Sequence, residues 1–477
     1  MTQARQFLGG SAWSVGSLGV SQVIGLAVLA YMARYLEAHE FGVVAISVLA
    51  LELTRDLMHA GLPDYLVREK VWHDDVANSA FTFQLLAGVA LGAVMLAAGM
   101  LVSALISADI GLALMAMSGV YLIEAAGSVS NARLRHDMNF RAIGMAQIAG
   151  AAATMGIAVL ALQAEAGFLA LIYCRLGAGL VSTAISLACS PWTPRLTTNL
   201  APLRPLLSYA VNIISTKLVS ILNVKATDII IGLLGGPALL GAYQLASRLL
   251  NFVLQTVLSP IQTVCLSVFA KQSAPGQLQT SVQNALSMLA LAVFPIAVGL
   301  AVVAPEVVGI IFGPGWHALA LPMAILMLAC LPASINYLLY PVLVKVDRAD
   351  LAVRFVSVLT VTGIVLTLIT APFGLVAVAA AFTARTLIGS AISLRMLRRE
   401  LGLEIKALLA TLAVPAAGCV AIMLTAVALR SQVQVLPELQ RLMVLALAGA
   451  SAYLVVLALF WRKAPFVQAL VLAKGKA

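Results

Sequence analysis

Charged side chains are scarce in this chain. Only 10% of its 477 residues are Asp, Glu, Lys or Arg, whereas 62% are hydrophobic and the mean hydropathy is +1.03. A soluble domain covers its surface with charged groups, which make up about a quarter of its residues. The composition therefore excludes a soluble globular protein.

The apolar residues also lack the alternation of period two that is typical of strands. They form blocks of roughly 20 or more residues, the length at which a helix crosses a hydrocarbon core of about 30 Å. A β-barrel would instead show short alternating segments. A helix satisfies its own backbone hydrogen bonds in lipid, so the sequence predicts an all-α integral membrane protein. The predicted spans, about fourteen transmembrane helices, are 11–34, 41–58, 80–106, 110–130, 141–162, 167–190, 208–234, 238–269, 284–312, 320–344, 352–371, 374–396, 406–429 and 440–461.

Motifs of several other function classes are missing. The loops contain no P-loop, no Rossmann glycine pattern and no pair of catalytic carboxylates, so no catalytic residue and no enzymatic cofactor are expected. The net charge of +10 comes from basic residues scattered over short loops, which excludes nucleic acid as a partner. Neither disulfides nor a metal site are expected, because the cysteines lie in apolar blocks without ligand-like spacing: Cys174, Cys189, Cys265, Cys330 and Cys419.

Lysine and arginine are distributed unevenly between the two sides of the predicted spans. If odd-numbered spans run outward, one side collects most of the loop cations, whereas the other keeps Arg34, Arg430 and Arg441. By the positive-inside rule the cation-rich side is cytoplasmic, and both termini are expected there. The first apolar block is too long for a cleaved signal peptide and is interpreted as the first span.

The chain also repeats its own pattern. Residues 167–187 (GFLALIYCRLGAGLVSTAISL) align without gaps with residues 374–394 (GLVAVAAAFTARTLIGSAISL). Residues 133–137 align with 343–347, and Gly42 aligns with Gly241. Three matches in the same order predict two pseudo-symmetric six-helix lobes, 1–200 and 201–400, followed by two additional helices in 401–477. Repeated transporter halves typically face each other across a midplane cavity.

Three segments resemble one family of bacterial polysaccharide transporters. They are HAGLPDYLVREKVWHDDVANSAF (59–81), NARLRHDMNFRAI (131–143) and LLSYAVNIISTKLVSILNVKATDIIIGLLGGPALLGAYQLASRL (206–249). In order and spacing they are similar to Wzx-type lipid-linked oligosaccharide flippases of the multidrug/oligosaccharidyl-lipid/polysaccharide exporter superfamily. One departure is that Lys225 and Ala226 stand where the family usually has Asn or Asp.

The resemblance implies a flippase of the bacterial inner membrane. It would move undecaprenyl-diphosphate-linked oligosaccharide repeat units from the cytoplasmic to the periplasmic leaflet by alternating access, for exopolysaccharide, capsule or O-antigen (lipopolysaccharide) synthesis. Membrane lipid, a polysaccharide polymerase and a chain-length regulator would be its partners, with H⁺ or Na⁺ as a coupling ion.

Two alternatives remain open at this point. A cation-coupled drug antiporter of the same superfamily would favour acidic cavities. A membrane-embedded polysaccharide polymerase or ligase would carry a long catalytic loop, whereas the predicted spans are joined by short loops.

Ionisable residues inside the predicted spans are functional candidates, because a charge at the bilayer centre costs roughly 2.5–3.5 kcal/mol on insertion scales. Arginine binds phosphate through parallel hydrogen bonds, so these cations are predicted to receive the diphosphate. For each residue the alternative is a local ion pair. Ion pairing is expected among Glu52, Arg55 and Asp56. Glu306 is expected at the membrane–water interface, near the outer end of its helix. The substrate-binding candidates are Arg175, Arg385, Lys217, Lys225 and Arg248, and the ion-coupling candidates are Asp228 and Glu124.

Overall fold

The computed structural model describes the backbone of residues 2–59, 61–272 and 276–460, and the side chains of these residues except 2–12, 14–15, 56–57 and 204–223. All regular elements in these ranges are helical. The chain divides into two compact units, residues 1–241 and 242–477. The predicted lobes, 1–200 and 201–400, stay a prediction.

In the described part of the chain, unit 1 contains eight complete α-helices and the first part of a ninth. The ninth helix, α9 (Leu207–Val253), begins in unit 1 and ends in unit 2. The eight helices are α1 (Thr2–Met32), α2 (Ala38–His59), α3 (Leu62–Arg68), α4 (Asp74–Leu105), α5 (Ala108–Met117), α6 (Gly119–His136), α7 (Phe140–Gln163) and α8 (Leu169–Cys189).

Unit 2 continues from α9 through a π-helical turn at Leu254–Leu258. Its further helices are α10 (Ser259–Ala270), α11 (Gln277–Val302), α12 (Ala304–Ile311), α13 (Ala320–Leu328), α14 (Cys330–Lys345), α15 (Ala349–Thr370), α16 (Leu375–Leu401), α17 (Ile405–Thr411), α18 (Ala413–Val433) and α19 (Glu438–Phe460).

Eleven helical segments of the described chain are long and apolar enough to cross a membrane. They correspond to predicted spans 3–6 and 9–14, with one segment, Val224–Ala270, covering the end of span 7 and all of span 8. Helices α1 and α2 occupy predicted spans 1 and 2. The predicted all-α membrane fold is confirmed, and the helices are consistent with about fourteen spans.

Helix α9 breaks where the sequence separates spans 7 and 8. Gly236 has φ +74° and ψ −179°, a conformation that glycine adopts without the steric cost of a side chain. Pro237 follows, and its missing N–H cannot continue the helical hydrogen bonds. The two residues therefore divide α9 into two helical segments.

Two glycines let the backbones of α2 and α9 meet. A Cβ atom on Gly42 would overlap the carbonyl oxygen of Pro237, and a Cβ atom on Gly241 would overlap that of Ala38. Gly42 and Gly241 are also the pair that the sequence repeat aligns. Small residues allow such close approach of helices in membranes, so neither position accommodates a side chain.

We expect Gly42→Ala to lower the amount of folded protein in the membrane several-fold, because backbone atoms cannot yield to the added methyl group as a flexible side chain would. Size-exclusion chromatography of detergent extracts measures this amount. The matched control is Gly156→Ala in α7, where an added Cβ meets no atom within 4 Å. Equal folded amounts of both variants would contradict the close approach.

The repeat is visible in local geometry. Gly167 before α8 and Gly374 before α16, which the sequence repeat aligns, both have positive φ, +54° and +87°. The turns after α6 and α14 also match, because each closes with an amide donating to a carbonyl five residues earlier, at 2.8 Å and 2.9 Å. In these turns Met138, not Asp137, corresponds to Asp347, so the sequence alignment there is wrong by one residue.

The C-terminal helices α18 and α19 form ion pairs with α12 within unit 2. Glu306 of α12 is only 2% exposed and lies 3.6 Å from Arg430 of α18 and 4.0 Å from Arg441 of α19. Glu438 of α19 contacts Gly309 of α12, one helical turn beyond Glu306. Glu306, expected at an interface, is thus buried in ion pairs between helices.

Candidate functional site

Two of the three family-like motifs pack together at one end of unit 1. In the first motif Gly61 has φ +71° and precedes α3, a short helix that the sequence analysis did not predict. Trp72 of this motif lies under the guanidinium of Arg133 of the second, 4.8 Å from the ring centroid. Trp72 also contacts the ring of His136, and Trp192 joins the cluster. The motifs therefore build one aromatic cluster.

The segment after α8 is fixed to α4 by side chains of the same first motif. The Asn78 side-chain oxygen accepts from the backbone N–H of Arg195, and the Ser79 hydroxyl donates to the carbonyl of Asn199 at 2.9 Å. Three residues further along α4, the Thr82 hydroxyl accepts from the amide of Thr197. These hydrogen bonds account for the polar residues Asn78 and Ser79 near the end of the motif.

Next to this cluster, unit 1 contains a cavity of about 520 Å³. Its walls are the end of α2, the short α3, and facing sides of α6 and α8. Charged groups enter it from α2 (Arg55 and His59), α3 (Asp64) and α6 (Glu124 and Arg135). The cavity lies entirely within unit 1, so it is a feature of this unit by itself.

Glu124 is the centre of the charged groups at this cavity. Its carboxylate lies 3.9 Å from Arg55 and 4.0 Å from His59, both on α2. Nearby, the hydroxyls of Thr54 and Tyr121 hydrogen-bond to each other, and the Tyr121 side chain is buried. Glu124, an ion-coupling candidate, is therefore placed between two basic groups.

Arg175 lies in the first half of α8, close to the same charges. Glu124 and Glu52 attract its guanidinium electrostatically, and Arg55 repels it. Among the described residues, however, no carboxylate lies within 4.0 Å of Arg175 and none of its N–H groups makes a hydrogen bond. A half-buried arginine with its donors unused can bind an incoming anion.

Lys225 is held in an ion-paired cluster. Its ammonium lies 2.8 Å from Glu52 of α2 and 3.7 Å from Asp228, one turn further along α9. The expected pairing of Lys225 with Asp228 is confirmed. The expectation that Arg55 pairs with Glu52 is wrong. Glu52 forms its ion pair with Lys225, and Arg55 lies beside Glu124 instead.

Unit 2 holds two candidate arginines. Arg385 of α16 is half-buried and lies against Gly363 of α15, whose missing side chain makes room for the guanidinium. Tyr243 of α9 is near enough to influence its charge. Arg248, five residues beyond Tyr243, is exposed. Within the described part of the chain, neither arginine makes an ion pair.

The structure places Arg175 within electrostatic range of Glu124 in unit 1, and Arg385 within electrostatic range of Tyr243 in unit 2. The side chains of Lys217 and Asp56 lie outside the described residues. That arginines of both lobes line one cavity stays a prediction.

Sequence reasoning missed several polar residues that line the unit 1 cavity. The sequence does carry a signal for these residues, because polar side chains recur on α6 at helical spacing from Glu124 through Ser128 and Asn131 to Arg135.

Solved structures of other proteins have the same arrangement of helices. The lipid II flippase MurJ, in an inward closed conformation, superimposes with a TM-score of 0.75 at 13% identity, over 94% of this chain and 99% of that chain. A crystal structure of MATE in complex with MaD3S superimposes with a TM-score of 0.55 at 14% identity, over 83% of this chain and 96% of that chain. At these identities the likeness shows the fold alone, which this chain shares with MurJ and MATE.

A family model described as polysaccharide biosynthesis protein matches residues 31–321, more than half of the chain, and the chain belongs to this family. It is 23% identical to the lipopolysaccharide biosynthesis protein WzxC of Escherichia coli K12, over 74% of this chain and 73% of WzxC. It is 25% identical to the succinoglycan biosynthesis transport protein ExoT of Rhizobium meliloti, over 64% of this chain and 62% of ExoT. The predicted Wzx-type family is confirmed, and the chain is a multi-pass membrane transport protein rather than an enzyme.

Proposed function

We propose that this protein flips undecaprenyl-diphosphate-linked oligosaccharide repeat units from the cytoplasmic to the periplasmic leaflet of a bacterial inner membrane. The observation that carries the proposal is a set of arginines inside apolar helices that make no ion pair with any described residue: Arg175, Arg248 and Arg385. Keeping such cations in a membrane is costly unless a ligand uses them.

A diphosphate group fits these arginines chemically. Phosphate oxygens accept the parallel N–H bonds that a guanidinium offers, and the attraction strengthens where water is excluded. The polyprenyl tail is as apolar as the bilayer, so it remains in lipid while the head group and sugars pass through the polar interior. Alternating access between inward and outward states would expose these groups to each leaflet in turn.

The relatives support a polysaccharide pathway, since WzxC is named for lipopolysaccharide and ExoT for succinoglycan. The sugar polymer made from this protein's substrate is accordingly an exopolysaccharide, capsule or O-antigen, with a polymerase and a chain-length regulator acting after it. Cytoplasmic termini follow from the loop cations.

Coupling to H⁺ or Na⁺ through Glu124 or Asp228 also stays part of the proposal. Glu124 is suited to this role because its charge is shared between Arg55 and His59, so a bound ion would change both contacts.

The drug-antiporter alternative is less well supported by the charges. A cationic drug needs an acidic cavity, but Glu52, Glu124 and Asp228 each lie within 4.0 Å of a basic side chain. Glu52 and Asp228 share the ammonium of Lys225 and Glu124 lies beside Arg55, so each acid already has a basic partner. The fold likeness to MATE is also weaker than that to MurJ.

Deleting the gene tests the proposal. We expect lipid-linked repeat units to accumulate on the cytoplasmic leaflet, because the polar head group cannot cross the hydrocarbon core unaided. Radiolabelled lipid-linked sugar in right-side-out and inverted membrane vesicles, treated with an impermeant glycosidase, reports its leaflet. Re-expression of the wild-type chain should restore the outer pool. An unchanged distribution in the deletion strain would refute the proposed function.

A further inference from the structure

The unit 1 cavity has two polar walls that the proposed diphosphate site does not use. On α6, Ser128, Asn131 and Arg135 line it at successive helical turns. On α8, Ser182 and Ser186 line it one turn apart. Helices α6 and α8 pack directly against each other, and both walls line the same open cavity.

Several of these polar groups have unused hydrogen-bonding capacity. Among the described residues, no protein atom hydrogen-bonds to the side chains of Asn131, Arg135 or Ser182. Asn131 offers two donors and one acceptor oxygen, and Arg135 offers five donors. Asn131 and Ser182 are half-buried, and Arg135 is exposed beside them near the end of α6, so a polar ligand in the cavity can reach these spare donors and acceptors.

The lining also discriminates between the parts of a lipid-linked oligosaccharide. A polyprenyl chain would leave the amide and guanidinium without partners, which is unfavourable. A diphosphate accepts hydrogen bonds only, so it could pair with Arg55 and Arg135 but would offer no donor to Glu124 and Asp64, which also line the cavity. Sugar hydroxyls both donate and accept, so they can pair with carboxylates, amides and guanidinium groups together.

We infer that this cavity is a sugar-binding subsite, in which Asn131, Arg135 and Ser182 hydrogen-bond to hydroxyl groups of the oligosaccharide. The inference rests on the proposed function and assigns the carbohydrate part of the substrate to unit 1. A volume of about 520 Å³ lies within the range of about 300–1,000 Å³ typical of small-ligand pockets.

A binding experiment with two probes separates the sugar from the diphosphate. The purified chain in nanodiscs is titrated with lipid-linked oligosaccharide extracted from the deletion strain, and separately with sugar-free undecaprenyl diphosphate. We expect Asn131→Leu and Arg135→Ala each to weaken oligosaccharide binding about tenfold, equivalent to about 1.4 kcal/mol. Binding of undecaprenyl diphosphate should stay within twofold of wild type.

Two controls make the result specific. Arg141→Ala, at an exposed position of α7 outside the cavity, should leave both affinities unchanged. Arg175→Gln should weaken the binding of both probes, because it removes a proposed contact to the diphosphate that both contain. Wild-type affinity of both cavity variants for the oligosaccharide, or equal losses for both probes, would overturn the sugar subsite alone. A wild-type chain that binds neither probe would instead overturn the proposed function.

Discussion

Arg175→Glu is expected to abolish transport while the protein still reaches the membrane. The substitution replaces a cation that has no ion pair among the described residues with an anion, close to Glu124 and Glu52. Three carboxylates would then face the position proposed for the diphosphate, and like charges repel strongly where water is scarce. We expect at least a hundredfold loss of flipping in proteoliposomes, measured with fluorescently labelled lipid-linked sugar.

The conservative variant separates charge from geometry. Arg175→Lys keeps the positive charge but loses the planar fork that binds two phosphate oxygens at once, so we expect partial activity, about tenfold below wild type. Arg141→Glu, the same charge reversal at an exposed position of α7, should transport normally. Full transport by Arg175→Glu at normal membrane levels would remove Arg175 from the site.

A double variant distinguishes substrate contact from charge balance. If Arg175 merely compensates Glu124, then Arg175→Gln combined with Glu124→Gln should recover the transport that Arg175→Gln loses. If Arg175 contacts the diphosphate, the double variant should remain as inactive as the single one. We expect the second result, because Glu124 already has Arg55 and His59 as closer basic partners.

Much of the fold could be predicted because lipid imposes a simple rule on sequence. Backbone groups must be satisfied inside each span, so block length predicts the helices. Glycine and proline predict the breaks, as the division of α9 at Gly236 and Pro237 shows. Block length does not report a break inside an apolar run, such as the one between α5 and α6 at Ser118, nor a short amphipathic helix such as α3.

The site was less predictable because charge pairing depends on tertiary neighbours. One-turn spacing favoured a cluster of Glu52 with Arg55, since residues three or four apart share a helix face. In the structure these two side chains turn to different helices, to Lys225 of α9 and Glu124 of α6. Arg175 was found from its type and position alone, since any arginine deep in a span is costly.

The Lys225–Glu52 pair allows a second large effect to be predicted. Lys225→Glu would place its carboxylate beside Glu52 and Asp228, which now lie 2.8 Å and 3.7 Å from the ammonium. Breaking a buried pair leaves an uncompensated charge, at a cost of about 3–5 kcal/mol when burial is complete. We expect membrane levels of the single variant to fall at least tenfold, measured by quantitative immunoblotting.

Exchanging the two charges tests what the pair does. Lys225→Glu combined with Glu52→Lys rebuilds an ion pair between α2 and α9 with its polarity reversed. Because Lys225 is already neutralised by two carboxylates, we expect the exchange to restore both membrane level and transport to at least about half of wild type. A double variant that accumulates normally but does not transport would instead show that Lys225 itself meets the diphosphate. Asp228→Asn, which keeps the shorter contact to Glu52, should lower membrane levels less than Lys225→Glu does.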